Sequence, residues 1–286
     1  MKILVTGATG GFGSYALAKL QKLVPQSEIF ALARSEQKAA KLKEAGFSVR
    51  IAAYDDPTSL EEAFAGIDRL LFVSSSELGS RQSQHKNVVD AAKKAGISYI
   101  AYTSFGKADT ATSPLAQDHA YTEKLILDSG IAHTFLRNNW YLENEGELIK
   151  AALQTGELVH AGGDGKAGWG LKREFAEIAA RAVSGKFDFP AVVEVGGPLL
   201  TYQELAEALE KVSGQKITTT ATDAKTAAQF LQEHTNLPQA AADYFASAQE
   251  IVQSGSLAVQ PDDMEKYLGK PLSSTEDALK ELFITD

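Results

Sequence analysis

Three glycines, Gly7, Gly10 and Gly13, follow the apolar run Lys2-Ile-Leu-Val-Thr6 and precede a stretch with Leu17 and Leu20 at helical spacing. The run is short and bounded by glycine, the pattern of a strand buried on both faces of a parallel sheet. Glycines carry information in this place, between a strand and the helix it opens. Gly7 permits the tight turn, Gly10 lets backbone approach a pyrophosphate, and Gly13 lets helix and strand pack closely. The pyrophosphate would meet the N–H groups and positive dipole end of the helix. The competing reading is a glycine-rich turn that holds nothing. Binding is favoured because the strand, the helix and the βαβ units after them are all in place.

The alternation continues down the chain. Phe12–Leu23 reads as a helix, Glu28–Ala33 as a strand, Gln37–Ala45 as a helix, Ser48–Ala53 as a strand and Pro57–Ala65 as a helix. Arg69–Val73, Ser83–Ala95, Tyr99–Thr103, Ala116–Asp128 and His133–Arg137 keep the rhythm. Six strands alternating with helices predict an α/β, Rossmann-type doubly wound parallel sheet. Pro57 suits a first helical turn, and Gly46, Gly96 and Gly130 suit left-handed helix ends.

Beyond about Asn144 the rhythm weakens. The segment Ala161-Gly-Gly-Asp-Gly-Lys-Ala-Gly168 reads as a loop and a mobile flap. Tyr202–Val212 and Lys225–Gln232 read as helices and Val192–Val195 as a short strand. The expected division is a cofactor domain over residues 1–143 and a smaller, mostly helical C-terminal substrate lobe over 144–286, with the chain crossing between them.

The end of the second strand selects the dinucleotide. Proteins that take NAD usually present an Asp or Glu there to the ribose 2′-hydroxyl. This chain has Ala33-Arg34-Ser35. An arginine fork pairs a 2′-phosphate bidentately and stacks on adenine, so NADPH is favoured over NADH. The alternative is a solvated loop arginine, with Glu36 as a competing partner.

Composition removes several function classes. Lys and Arg number 28 against 37 Asp and Glu, a formal charge of −9 whose field repels phosphate backbones, so nucleic acid is not an expected partner. There is no cysteine, which removes disulfides, thiolate metal sites and a Cys nucleophile. The five histidines are scattered without metal-ligand spacing, and no metal is expected. No signal peptide is visible and no apolar stretch approaches the roughly 18–20 residues of a membrane span. The expected compartment is the cytoplasm, with no membrane partner. Oligomeric state is not legible.

The spacing Gly-x-x-Gly-x-x-Gly and Tyr54-Asp55-Asp56 after the third strand resemble atypical short-chain dehydrogenases of the NmrA-like group. Ser74-Ser-Ser-Glu77, Tyr102-Thr-Ser104, Glu123-Lys124 and Leu136-Arg-Asn-Asn-Trp-Tyr-Leu-Glu-Asn144 narrow the resemblance. Together they are similar to the bacterial NADPH-dependent quinone oxidoreductase branch, with triphenylmethane dye reductases as near relatives. The likeness runs over nearly the whole chain, including Asp164-Gly-Lys166 and Lys172-Arg-Glu-Phe175.

The resemblance implies that Gly7, Ala8, Thr9, Gly10, Phe12 and Gly13 line the pyrophosphate, Arg34 the 2′-phosphate and Asp55 the adenine edge. It implies that Ser74, Ser75 and Ser76 pass beneath the ribose and nicotinamide, and that Lys124 holds nicotinamide-ribose hydroxyls. Typical short-chain dehydrogenases place an acid tyrosine four residues before that lysine, where this chain has Ala120. Tyr121 shares roughly the same helix side in another register. A phenol–lysine relay is therefore not expected, which agrees with a quinone-type acceptor, since the reduced ring is a stabilised phenolate that water can protonate. His119 reads either as a donor near the substrate or as a capping or surface group.

Phe105, Asn138, Trp140 and Tyr141 follow the C-terminal ends of the fifth and sixth strands, outside which ligands of doubly wound sheets bind. Aromatic walls with an amide suit a flat conjugated acceptor, a quinone or a dye. Packing of the junction with the C-terminal lobe is the alternative for Trp140 and Tyr141. The expected function is hydride transfer from NADPH to such an acceptor. The alternative is an NADP(H)-sensing regulatory protein without turnover.

Overall fold

The computed structural model describes residues 1–77 and 79–284. In chain order the elements are β1 (Ile3–Val5), α1 (Gly11–Leu20), β2 (Ile29–Ala33), α2 (Glu36–Glu44), β3 (Ser48–Ile51), α3 (Pro57–Phe64) and β4 (Arg69–Phe72). Then come α4 (Arg81–Lys94), β5 (Tyr99–Phe105), α5 (Pro114–Ser129), β6 (Ala132–Asn138), α6 (Gly146–Thr155), β7 (Glu157–His160) and α7 (Lys172–Ser184). The chain ends with β8 (Val192–Val195), α8 (Tyr202–Ser213), β9 (Thr218–Ala221), α9 (Ala224–His234), α10 (Gln239–Gln253), α11 (Met264–Leu268) and α12 (Thr275–Phe283).

Among the described residues, seven strands form one sheet in the order β3-β2-β1-β4-β5-β6-β8. The pairs from β3 to β6 are parallel, and the bonds Phe135 N to Ala191 O and Asn139 N to Val195 O keep one offset, so β8 runs parallel to β6 as well. This is the doubly wound sheet expected from the alternation. Its order reverses between β1 and β4, the switch point where ligands of such sheets bind. The segments after β1 and β4 therefore leave the sheet side by side.

The chain divides into two units. The first comprises Met1–Asn138, Arg173–Val193 and Glu265–Gly269, and the second Asn139–Lys172, Glu194–Met264 and Lys270 onward. In the first unit Leu4, Leu70, Phe72, Ile100 and Tyr102 from the sheet pack with Leu60 and Phe64 of α3 and Val88 and Ala92 of α4, all fully buried. Burial on this scale is what holds short strands of three to five residues in a sheet.

Local chemistry sets the helix ends. Asp56 accepts from Thr58 N and Ser59 N with Pro57 in the first turn of α3, and Ser113 accepts from Ala116 N ahead of Pro114 in α5. Gly46, Gly96 and Gly130 have positive φ at the ends of α2, α4 and α5, as expected from their positions.

Some boundaries differ from the expected ones. Helix α1 stops at Leu20 instead of Leu23, and a 3₁₀ turn over Gln26–Glu28 delays β2 to Ile29. Pro25 accounts for this, since it removes a donor and pushes Val24 out of the helical region. Strands β5 and β6 run further, through the register pair Phe105 and Asn138, so both residues end strands instead of following them.

Val192–Val195 is a strand as expected, and it joins the main sheet as its edge strand beside β6. Helix α7 returns to the first unit near β4 and α1: Arg69 Nε and Nη2 donate to the carbonyls of Val183 (2.7 Å) and Ala182 (3.2 Å), and Lys19 pairs with Glu177 at 3.0 Å. Hydrophobic rhythm identifies a strand without naming its sheet, and these polar ties are invisible in sequence.

The second unit is mostly helical, with a two-stranded parallel sheet of β7 and β9 in which Glu157 faces Thr218. Its glycine-rich segment is not a flap. Ala161, Gly162, Ala167 and Gly168 are buried, a Cβ at Gly162 would lie 2.3 Å from the Tyr202 ring, and one at Gly165 would lie 2.0 Å from Val252 O. These glycines permit close packing, so glycine density here marks contact instead of mobility. Among the described residues no group of acidic, His or Cys side chains could hold a metal, and no helix is long and apolar enough to cross a membrane.

Candidate functional site

The loop after β1 turns at Gly7, where φ is +59°. Gly10 N donates to Gly7 O at 3.0 Å, and Ser14 N to Gly10 O at 3.0 Å opens α1. Gly10 is the N-cap, without a side-chain cap, and the first turn of α1 holds no acidic residue. A Cβ at Gly13 would lie 2.3 Å from Gly7 O and 2.7 Å from Ala8 Cα. Gly13 is thus the point where helix and loop meet backbone to backbone. Ala8, Phe12 and Gly13 are buried, while Gly7, Thr9 and Gly10 face outward. An exposed glycine backbone at an uncapped helix N-terminus has the shape and field for a pyrophosphate.

Arg34 leaves the end of β2 and is largely exposed. Its Nη1 donates to Glu77 Oε1 at 2.7 Å. Glu36, the competitor expected from sequence, pairs with Lys43 instead. Glu77 lies below the usual carboxylate range, first through the Gln84 amide and then through Arg34. Asp55 is exposed after β3, beside Tyr54, whose hydroxyl donates to Val73 O at 2.8 Å. The segment after β4 thus meets Arg34 at Glu77, Tyr54 at Val73, and the glycine loop at Gly7, where a Cβ would lie 3.0 Å from Val73.

The segment after β4 is held at nearly every polar atom. Ser74 N donates to Thr103 Oγ1 (2.8 Å), Ser75 N to His85 Nε2 (2.9 Å), Ser75 Oγ to Gln84 Oε1 (2.6 Å) and Glu77 N to Ser75 Oγ (3.1 Å). Arg81 Nε closes on Ser75 O at 2.8 Å. Because His85 Nε2 accepts from a backbone N–H, its proton sits on Nδ1, which lies 2.8 Å from Thr122 Oγ1. Burial, with Arg81 nearby, lowers its pKa to about 3, so the ring stays neutral. Ser75 is buried, Ser74 half-buried and Ser76 exposed.

Helix α5 separates the remaining sequence candidates. His119 is buried, with Nδ1 2.8 Å from the Tyr102 hydroxyl and its ring stacked on Phe105. Burial, then Arg81 and His85, push its pKa well below the usual imidazole value. Tyr121 is half-buried. Lys124 faces solvent and pairs with Asp128 one turn on, 2.7 Å away, while its neighbour Glu123 is buried. Glu123 accepts from Ser104 Oγ (2.6 Å) and from Arg137 Nε (2.9 Å) and Nη2 (2.7 Å), and Arg137 Nη1 reaches Asp109 at 2.9 Å. This buried network is absent from the sequence reading.

Phe105 and Asn138, both buried, close the β5–β6 ladder. Trp140 and Tyr141 belong to the second unit, where the Lys172 ammonium lies 5.2 Å from the Tyr141 ring centre. Trp140 Nε1 donates at 3.1 Å to Glu145 Oε1, and Glu145 is 3% exposed. Burial raises the Glu145 carboxyl to about 7, against hydrogen bonds from Trp169, Tyr202 and Trp140 that lower it. Glu145 was missed in sequence. Its setting, Glu143-Asn-Glu-Gly-Glu147, reads as a solvated acidic run.

A model of the NmrA-like family matches residues 1–269. The chain is 39% identical to quinone oxidoreductase 2 of Escherichia coli K12 over 283 residues, 98% of each chain. It matches the structure of the NADPH-dependent quinone oxidoreductase of Escherichia coli complexed with NADPH at a TM-score of 0.89 and 39% identity, covering 98% of this chain and 99% of that one. It matches Citrobacter sp. triphenylmethane reductase complexed with NADP(H) at a TM-score of 0.91 and 32% identity, covering 99% and 100%. On the match over residues 1–269 and the full-length relatives, this chain belongs to the NmrA-like family.

Proposed function

We propose that this protein is an NADPH-dependent oxidoreductase whose acceptor is a quinone or a similarly conjugated molecule. The observation that carries the reading is the glycine cradle after β1 together with Arg34 at the end of β2, on a chain 39% identical over nearly its full length to a quinone oxidoreductase. Gly7, Ala8, Thr9, Gly10, Phe12 and Gly13 hold the pyrophosphate, Arg34 pairs the 2′-phosphate, Asp55 borders the adenine, and Ser74, Ser75 and Ser76 run beneath the ribose and nicotinamide. When bound, NADPH supplies the hydride that reduces the acceptor.

The protein's own contribution is position. The many bonds on Ser74 to Glu77 support a fixed floor, which favours a near-attack geometry without rearrangement. Phe105 and Asn138 at the ends of β5 and β6 are the acceptor-side residues of the first unit. No side-chain proton donor is part of this reading. Lys124 is engaged by Asp128 and His119 is buried on Tyr102, while a hydroquinone anion takes its proton from water.

The test follows the loss of NADPH near-ultraviolet absorbance on adding a simple benzoquinone, with a no-protein control. Turnover above the control supports the enzyme. Binding of NADPH without turnover on a panel of quinones and dyes supports the sensing protein instead.

A further inference from the structure

The chain has two tryptophans, and both indoles donate to one carboxylate oxygen. Trp140 Nε1 and Trp169 Nε1 lie 3.1 and 3.2 Å from Glu145 Oε1, and the Tyr202 hydroxyl lies 3.0 Å from the same atom. Three donors on one oxygen fix the carboxyl group and use up the lone pairs of that atom. The other oxygen, Oε2, has no hydrogen-bond partner among the described residues. Glu145 lines a cavity of about 70 Å³ together with Trp140, Tyr244, Phe245, Asn144 and Gln249.

A buried carboxylate is costly unless something pairs it. No Lys, Arg or His lines this cavity, so the protein does not supply the counter-charge there. Aromatic faces attract cations through their ring quadrupoles, and they desolvate an alkylated ammonium at little loss because that group is weakly hydrated. A fixed carboxylate with one oxygen open, in a cavity lined by three aromatic residues, matches that chemistry. The volume admits a compact head group, a few water-sized units, and excludes a multi-ring body.

We propose that this cavity is a binding site for a small organic cation, an alkylated ammonium head, with Glu145 as its counter-ion and Trp140, Tyr244 and Phe245 as its walls. Every group named belongs to the second unit, and Trp140 is the one residue among them that the sequence also offered as an acceptor wall. The titratable groups facing Glu145 are Tyr202 of α8, whose phenol burial and the carboxylate itself push well above its usual range, and Tyr244 of α10 across the cavity. The carboxyl itself is raised to about 7 by burial, so a cation must bind the form that gains population as pH rises through neutrality. The same cation must lower the pH at which Glu145 ionises.

The experiment uses choline and its neutral isostere 3,3-dimethylbutan-1-ol, titrated into the full chain at constant ionic strength. Tryptophan fluorescence is the readout, because both tryptophans report on Glu145. At pH 8.5 choline is expected to bind at least about tenfold more tightly than the isostere, and near pH 5.5 that preference should shrink toward parity. Glu145→Gln should abolish the preference at both pH values. Tyr244→Ala, at an exposed rim position, should weaken choline in a folded protein. Equal affinity for the two probes at pH 8.5 would show a merely apolar pocket and overturn the proposal. So would absence of choline binding, or a preference that does not change with pH in the unmutated protein. The last outcome decides even if Glu145→Gln fails to fold.

Discussion

Arg34 Nη1 and Glu77 Oε1 lie 2.7 Å apart, an exposed ion pair that ties the loop after β2 to the segment after β4. If Arg34 receives the 2′-phosphate, Glu77 is the group that phosphate must displace. Glu77→Gln removes a negative charge beside an incoming dianion and frees the guanidinium. NADPH should then bind about two- to fivefold more tightly, the range of an exposed pair, and the gain should fade in high salt. Calorimetric titration of the variant at two salt concentrations checks this. A loss of affinity would mean that Glu77 positions Arg34 instead of competing for it.

Gly10 and Gly13 should respond differently to the same substitution. At Gly13 an added Cβ would lie 2.3 Å from Gly7 O, whereas at Gly10 its nearest neighbour would be Gly7 O at an ordinary 3.4 Å. Gly13→Ala should destabilise the fold by roughly 1–3 kcal/mol or more, the scale of overpacking against backbone. Gly10→Ala should melt like the parent yet bind NADPH more than about tenfold more weakly, because its methyl group occupies the surface a pyrophosphate needs. Melting curves and cofactor titrations of both variants separate the two roles.

What was legible in the sequence is what is encoded locally. The glycine cradle, the helix ends at Gly46, Gly96 and Gly130, and the place of Arg34 after β2 each depend on a few adjacent residues. What stayed hidden depends on distant segments meeting. Val192–Val195 has a strand's composition, but only its pairing beside β6 shows its sheet. Glu145 becomes a buried carboxyl only because Trp140, Trp169 and Tyr202 converge on it from three segments. Ala161 to Gly168 has the composition of a loop, and its glycines are explained by the Tyr202 ring at Gly162, the backbone of α10 at Gly165 and the Gly197 carbonyl at Gly168.

Glu145 should also shape stability against pH. Its folded carboxyl is raised to about 7 from an ordinary value near 4.5, so between those values the folded chain holds a proton that the unfolded chain has released. Stability from this group is therefore full in acid and lost as pH rises toward and past 7. Glu145→Gln keeps the acceptor oxygen and removes the titration. The variant should match the parent near pH 5 and exceed it by about 3 kcal/mol near pH 8.5, taking about 1.4 kcal/mol per pKa unit. His85, His119 and His160, all lowered by burial, destabilise in the opposite direction, toward acid, and cancel in the comparison. Urea unfolding of both proteins at the two pH values reads the difference. Parallel pH profiles would contradict it.

Tyr121→Phe tests the absence of a proton relay. Tyr121 is a half-buried residue of α5, in the wrong register for a tyrosine–lysine dyad, and Lys124 is taken by Asp128. Turnover with a benzoquinone should change less than about threefold, against the roughly 100-fold or more that loss of a general acid costs. A loss of that larger size at unchanged NADPH affinity would make Tyr121 the acid.

The most direct test of the central claim is the ratio of kcat/KM for NADPH over NADH with one quinone, measured in the parent and in Arg34→Asp. The parent should prefer NADPH, because the guanidinium pairs the 2′-phosphate. The aspartate repels that phosphate and can accept from a 2′-hydroxyl, so the ratio should fall by roughly 10- to 150-fold while NADH use holds or improves. A parent that already prefers NADH, or a ratio that does not move, would contradict the assignment of Arg34 and with it the NADPH-dependent reading.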